Sequence, residues 1–230
     1  LIAPSGEVSG ARGPSAVAYG VRVDSLTGVA VNIKEDHIES VLVDPTDSDH
    51  PIAIEPTSAD RSPAFDIAAA VTAACDAAGV SPASVSEVAV GVQAAVHAGQ
   101  DRLSFTDTLP GWPEFGARRQ IVDATSLGVT IENDANLATI AERGEGVLGE
   151  SEQFIYLWLG HGIGAGFDLG GQLLRGVTGS AGEIGYLEVP RSAATLASEA
   201  HDFTDLLGYE ALTTLTAASS YDEALALLPG

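Results

Sequence analysis

The order of elements predicts an α/β protein of two similar lobes with a cleft between them. Three short β-rich runs open the first half, and an amphipathic helix and a buried strand follow them. The second half repeats that logic with a strand, a glycine-turned hairpin and a helical end. Three strands, a helix and another strand form the opening of a ribonuclease H-like (actin-like) ATPase fold. On this reading residues 1–18 are a linker, 19–144 the first lobe, and 145–230 the second lobe.

Each element has a local reason. Residues 1–18 mix glycine and proline with short apolar pieces, which suits an exposed ribbon, so the core is expected to begin at Tyr19. Tyr19 to Val23, Gly28 to Ile33 and His37 to Val43 have the length and spacing of a three-stranded antiparallel meander. The polar stretch from Asp44 to Ser62 reads as a loop with one short edge strand. Ala64 to Ala78 places Phe65, Ala68, Val71 and Cys75 on one helical stripe, closed by Gly79 at C′. Val85 to Val92 is a buried strand. Farther on, Gly128 to Ile131 is a short strand ahead of a helix running to about Arg143, and Phe154 to Gly160 is another strand. Gly164 to Leu169 and Gly171 to Leu174 form a hairpin around Gly170 and Gly171, and the last 28 residues are helical.

Composition bounds the function. The 230 residues are 45% apolar and 18% charged, enough for one large domain or two small ones, each with a core. Ten basic residues, only one of them Lys (Lys34), face 32 acidic ones, a net charge of -22. Such a surface repels phosphate backbones and anionic lipid, so any DNA-reading part is expected outside these residues. A single Cys, Cys75, makes no internal disulfide and no zinc cluster, which fits a reducing compartment. His37, His50, His97 and His201 are scattered without paired spacing, so no metal site is expected. With no signal peptide and no apolar run of about 18 residues, the expected location is the cytoplasm. The absence of any Met, an initiator included, implies a fragment or a chain that has lost residues.

Three segments carry chemistry. Glu132-Asn133-Asp134-Ala135-Asn136 stands at the head of a helix, where Asn and Asp cap free N–H groups. Three such residues exceed what one cap needs, so Asn133 and Asp134 are candidates to bind sugar hydroxyls, and Asp134 to take a proton in phosphoryl transfer. Leu159-Gly160-His161-Gly162-Ile163-Gly164-Ala165-Gly166 sets glycines at alternate positions after a strand, either to let a phosphate approach backbone N–H groups or to turn a tight hairpin through positive φ. Arg175 to Tyr186 encloses one carboxylate, Glu183, among small residues, an acceptor for sugar hydroxyls. Trp112, after Pro110 and Gly111, suits a core plug between lobes better than a stacking platform.

These segments, with Leu109-Pro110-Gly111-Trp112 before them, resemble the ROK family of repressors, open reading frames and sugar kinases. Its kinases carry E-N-D-A-N, L-G-T-G-I-G-x-G and G-x-A-G-E-I-G-H segments, and the resemblance runs from about Tyr19 to Tyr186. It implies a sugar site of Asn133, Asp134, Glu183, Tyr186 and Glu199, a phosphate loop of Gly160, His161, Gly162 and Gly164, and Asp134 as base if there is catalysis. It also implies a homodimer or homotetramer.

The departures point away from catalysis. Where family kinases have D-x-G-G-T for the nucleotide phosphates and Mg²⁺, this chain has Gly20-Val21-Arg22-Val23-Asp24-Ser25-Leu26, with Arg22 in the place of the Asp and no glycine pair. His161 replaces the loop Thr, Tyr186 the zinc-binding His, and Leu187 to Glu199 has no Cys, which argues against structural zinc. Gly6 to Pro14 resembles the wing and linker of the family's repressors, so the resemblance implies that residues 1–18 are a wing or linker remnant and that the second lobe, 145–230, is incomplete at its C-terminal end. The expectation is thus a sugar-sensing effector domain of a ROK-type transcriptional regulator without cofactor, which reaches operator DNA through an N-terminal domain outside these residues. The alternatives are a sugar kinase of glucokinase or N-acetylhexosamine type using Mg-ATP, and a remnant that binds no ligand.

Overall fold

A computed structural model describes residues 2–8, 16–21, 27–46, 48–58, 60–146, 153–190 and 200–227. In chain order the first strands are β1 (Ile2–Val8), β2 (Ala16–Val21), β3 (Thr27–Ile33), β4 (His37–Val43) and β5 (Ala53–Pro56), followed by helix α1 (Pro63–Ala78). Next come β6 (Val85–Val92), β7 (Ala95–His97), β8 (Arg102–Ser104), α2 (Ala117–Thr125), β9 (Gly128–Asn133) and α3 (Asp134–Glu145). The remainder holds β10 (Gln153–Leu159), β11 (Ile163–Leu169), α4 (Phe203–Leu207), α5 (Tyr209–Thr216) and α6 (Tyr221–Leu227).

The chain divides into two compact units, residues 1–94 with 98–132, and residues 95–97 with 133–230. The division falls at Glu132 and Asn133 rather than at 144 and 145, so α3 belongs with the second unit. Its packing along β11 is the reason.

The first unit is built on a five-stranded sheet of order β5-β4-β3-β6-β9, antiparallel from β5 to β3 and parallel between β3 and β6. The alternation of β3 buries Val29, Val31 and Ile33, and Val88, Val90 and Val92 of β6 join them. The meander is therefore β3-β4-β5. The expected first strand pairs elsewhere: β2 lies antiparallel to β1, so the ribbon expected over residues 1–18 is a paired strand over residues 2–8. Gly6 to Val8 of the wing-like segment fall in β1, whereas residues 9–15 lie outside the described residues.

Helix α1 packs on β4 and against α2. Ser62 caps it by accepting the Phe65 N–H at 3.2 Å, Pro63 begins it, and Gly79 closes it in the left-handed region at φ 67°. The buried stripe is Ile67, Ala70, Val71, Ala74 and Cys75, whereas Phe65 is 53% exposed and Ala68 faces solvent. The expected stripe was misphased because Val71 and Cys75 lie at its border, with Asp66 buried beside Ile67.

Asp66 is buried beside an arginine and an indole N–H that pair with it. Its carboxylate accepts from Arg61 Nε at 3.3 Å and Trp112 Nε1 at 2.9 Å, while Arg61 also donates to the carbonyls of Lys34 and Glu35. Trp112 is thus a core residue of the first unit with its indole N–H paired, not a plug between lobes. Gly111, at φ 83°, is required beside it: a Cβ there would lie 2.4 Å from the Arg61 carbonyl oxygen.

In the second unit β10 and β11 form an antiparallel pair, and α3 packs on both. The hairpin expected at Gly170 and Gly171 is present as a turn with both φ positive, 67° and 84°, and an antiparallel bridge between Asp168 and Leu173. The helical end is α4, α5 and α6.

Candidate functional site

The site is assembled within the second unit from the start of α3, the β10–β11 connection and the segment around Glu183. The chain passes from β9 directly into α3, with Asn133 in extended conformation (φ -64°, ψ 140°) as its N-cap. Asn133 Oδ1 accepts the Asn136 N–H at 3.1 Å, and Asp134 Oδ1 accepts the Ala135 N–H at 2.8 Å. Capping uses only part of Asn133. Its amide nitrogen donates to Glu183 Oε1 at 3.4 Å, fifty residues later.

Glu183 is half-buried, and its carboxyl is pushed up to about 7, first by burial and then by the Asp134 carboxylate. Two carboxyls and an amide therefore converge, a donor and acceptor set that suits neighbouring hydroxyl groups. Tyr186, at the end of a 3-10 turn over Ile184–Tyr186, is 45% exposed. Glu199 and Arg22, the other residues named for the sugar site and the nucleotide loop, lie outside the described residues.

The glycines around β11 have a steric reason. Helix α3 lies along the strand in three rungs. Ala135 meets Gly164, where an added Cβ would make ordinary contact at 3.5 Å. At the second rung a Cβ on Gly166 would stand 1.7 Å from Thr139 Oγ1. The third is an ion pair between Arg143 and Asp168, which is 4% exposed and also accepts the Gly171 N–H at 2.9 Å. Arg143 in turn lies 5.2 Å from the Phe154 ring centroid. Beside Glu183, Gly182 makes a comparable close approach: its carbonyl accepts the Ala165 N–H at 2.8 Å, and a Cβ would lie 1.8 Å from Ala165 O.

The tight hairpin expected here is present, with Leu159 paired to Ile163 across the turn, but Gly160, Gly162 and Gly164 do not have positive φ; among the described residues of this unit the positive-φ glycines are Gly170, Gly171, Gly176 and Gly179. The Gly160 N–H donates to Gly162 O, and the Gly160 carbonyl accepts the Tyr209 N–H at 2.9 Å. His161 stacks on Tyr209 with ring centroids 4.8 Å apart. Around Gly162 a Cβ would meet open space.

Sequence reasoning thus found Asn133, Asp134 and Glu183, which the structure brings together, and missed Thr139, Arg143, Asp168 and Tyr209. The signal for the first three was present: Ala135, Thr139 and Arg143 recur every four residues, and Gly164, Gly166 and Asp168 every two. Among the described residues no group of three His, Cys, Asp or Glu side chains could hold a metal ion, and no helix is long and apolar enough to cross a membrane.

The profile of the ROK family matches residues 29–199, well over half the chain. The chain belongs to the ROK family. It is 37% identical over 79 residues to a glucokinase of Halalkalibacterium halodurans, a stretch covering 34% of this ROK chain and 24% of that protein. To a putative xylose repressor of Caldicellulosiruptor sp. it is 33% identical over 78 residues, 34% of this chain and 20% of that one. The structure of a ROK family transcriptional regulator, a homolog of the E. coli MLC protein, matches with a TM-score of 0.66 at 16% identity, covering 94% of this chain and 54% of the other. This ROK chain has the ribonuclease H-like, actin-like α/β fold expected from its sequence. It spans a quarter or less of the two curated relatives, and those relatives include both a kinase and a repressor.

Proposed function

We propose that the chain is the sugar-sensing effector domain of a ROK-family transcriptional regulator, without kinase activity. The observation that carries the sugar site is the meeting of Asn133, Asp134 and Glu183: an amide donor and two carboxyls, one of them half-buried, held together by α3 and the Glu183 segment. Such a set recognises a pair of hydroxyls by direct hydrogen bonds, with Tyr186 and Glu199 as further candidate contacts. Charge and sequence support the regulator over the enzyme. Segment 20–26 offers no glycine pair for a nucleotide phosphate, since a side chain at those positions would occupy the phosphate's space. The expected Gly160–Gly164 phosphate loop has the Gly160 N–H turned to its own loop and His161 stacked on Tyr209. No structural zinc and no nucleotide cofactor belong to this reading. A regulator of this kind would work in the cytoplasm as a homodimer or homotetramer and reach operator DNA through a different domain, because a net charge of -22 repels the duplex.

A kinase reading has one observation in its favour: Asp134 stands beside the Asn133–Glu183 pair, where a carboxylate could take a proton from a sugar hydroxyl, with Mg-ATP as co-substrate. A thermal-shift screen of the chain against a sugar panel, with and without Mg-ATP, separates the two. The sensor requires a rise in Tm with a sugar and none with Mg-ATP. Steady ATP consumption with any hexose establishes the kinase, and a panel without any shift leaves neither standing.

A further inference from the structure

We infer that the contact between Gly166 and Thr139 is a positioning element, which sets how far α3 stands off β11 and so holds Asn133 and Asp134 opposite Glu183. The inference deepens the sugar-site reading, but its first readout needs no sugar. Both halves of the site hang from the same strand. Glu183 is fixed through Gly182, whose carbonyl accepts the Ala165 N–H at 2.8 Å and whose Cα faces Ala165 O too closely for any side chain. Asn133 and Asp134 are fixed through α3 and its three rungs at residues 164, 166 and 168.

Only the middle rung has no slack. The first tolerates a methyl group at ordinary contact distance, and the third is a pair of polar side chains that can adjust. At the second, hydrogen is the one substituent on residue 166 that leaves room for Thr139, whose Oγ1 is itself directed back to Ala135 O at 2.7 Å. Thr139 is fully buried, so it cannot swing into solvent to make space. The Asn133–Glu183 hydrogen bond is long, at 3.4 Å, and an outward move of α3 by less than its own added bulk breaks it.

The test is a compensation series: Gly166→Ala, Gly166→Ala with Thr139→Ala, and Gly166→Ala with Thr139→Gly. In the double variant with Ala, the Thr139 Cβ position still lies 2.8 Å from the new methyl, so relief is partial; with Gly the Thr139 clash is gone and the Ala135 carbonyl oxygen, at 3.1 Å, is the one close neighbour left. Two quantities are read on each variant at equal folded fraction: the titration of the Glu183 carboxyl by carbon NMR without ligand, and the affinity for D-glucose by calorimetry. The positioning role requires the Glu183 titration, about 7 in the wild type, to fall by about one pH unit in Gly166→Ala, because an outward α3 leaves the carboxyl less buried and takes the Asp134 carboxylate away, and to recover in the order Ala, then Gly. D-Glucose affinity follows the same order, with a loss of about tenfold in the single variant. An unchanged titration in Gly166→Ala, or no recovery in the double variants, overturns the inference even if Tm falls. Absence of D-glucose binding in every variant counts against glucose as the effector, while the titration still decides the positioning role. If Gly166→Ala does not fold, Thr139→Gly alone must raise the titration as α3 settles inward, and no movement there overturns the inference as well.

Discussion

Between pH 4.5, the ordinary value for a glutamate, and about 7, folded Glu183 keeps a proton that the unfolded chain has released. Stability therefore falls as pH rises through that window, and the contribution lost by pH 8 is on the order of 2 kcal/mol after allowance for partial exposure. Glu183→Gln removes the ionisation, so its unfolding free energy should exceed that of the wild type at pH 8 and match it near pH 4; urea melts at both pH values check this. The same substitution should weaken sugar binding above pH 7, where the wild-type carboxylate is the better acceptor. Asp168 has the opposite sign. Arg143 holds its carboxyl below the usual range, with the Gly171 N–H adding to the effect, so its contribution is present above the ordinary aspartate value and lost as pH falls through the folded one. In the first unit Trp112→Phe deletes a donor to the buried Asp66 carboxylate, and a loss of about 1.5–3 kcal/mol is expected in urea unfolding.

Helix α3 is held to β11 by unlike contacts, a methyl on a glycine, a hydroxyl over a glycine and an ion pair. Arg143→Met strands the buried Asp168 carboxylate and is expected to destabilise the chain by about 3 kcal/mol, whereas the double change with Asp168→Leu should recover most of that loss; a double-mutant cycle in urea measures it. At this scale the limits of the sequence are visible. The cap Asn133, its neighbour Asp134 and the isolated Glu183 were legible because residue type alone marks them against their apolar or small neighbours. The strand β6 and helix α1 with its terminal Gly79 were legible from periodicity and cap chemistry. The stripe of α1 was misphased, since a paired Asp66 inside a helix face reads as solvent-facing until Arg61 and Trp112 are found beside it. The pairing of β2 with β1 was hidden because strand partners are chosen by long-range contacts and not by local composition. Alternate glycines suit a phosphate loop or a tight hairpin alike, and the steric reason for Gly166 was hidden because the sequence does not say which helix lies on the strand.

Across the molecule, 32 acidic and ten basic residues leave a self-repulsion that salt screens. Raising NaCl from about 0.05 M to about 0.5 M should increase Tm by roughly 2–4 °C, equal to about 1 kcal/mol, as read by scanning calorimetry. In a gel-shift titration the chain should leave duplex DNA unretarded at any salt. The three rungs between α3 and β11 also behave as a vernier. Four helical residues advance about 6.0 Å and two strand residues about 6.6 Å, so the two scales drift by about 0.6 Å per rung. A run of three stays in step where a run of six would not. One residue inserted into α3 turns the later rungs by about 100°, and one inserted into β11 flips every following side chain to the other face. Residues 133–145 and 160–185 must therefore change together, and a chimera with another ROK protein should fold only when both stretches are exchanged as one cassette.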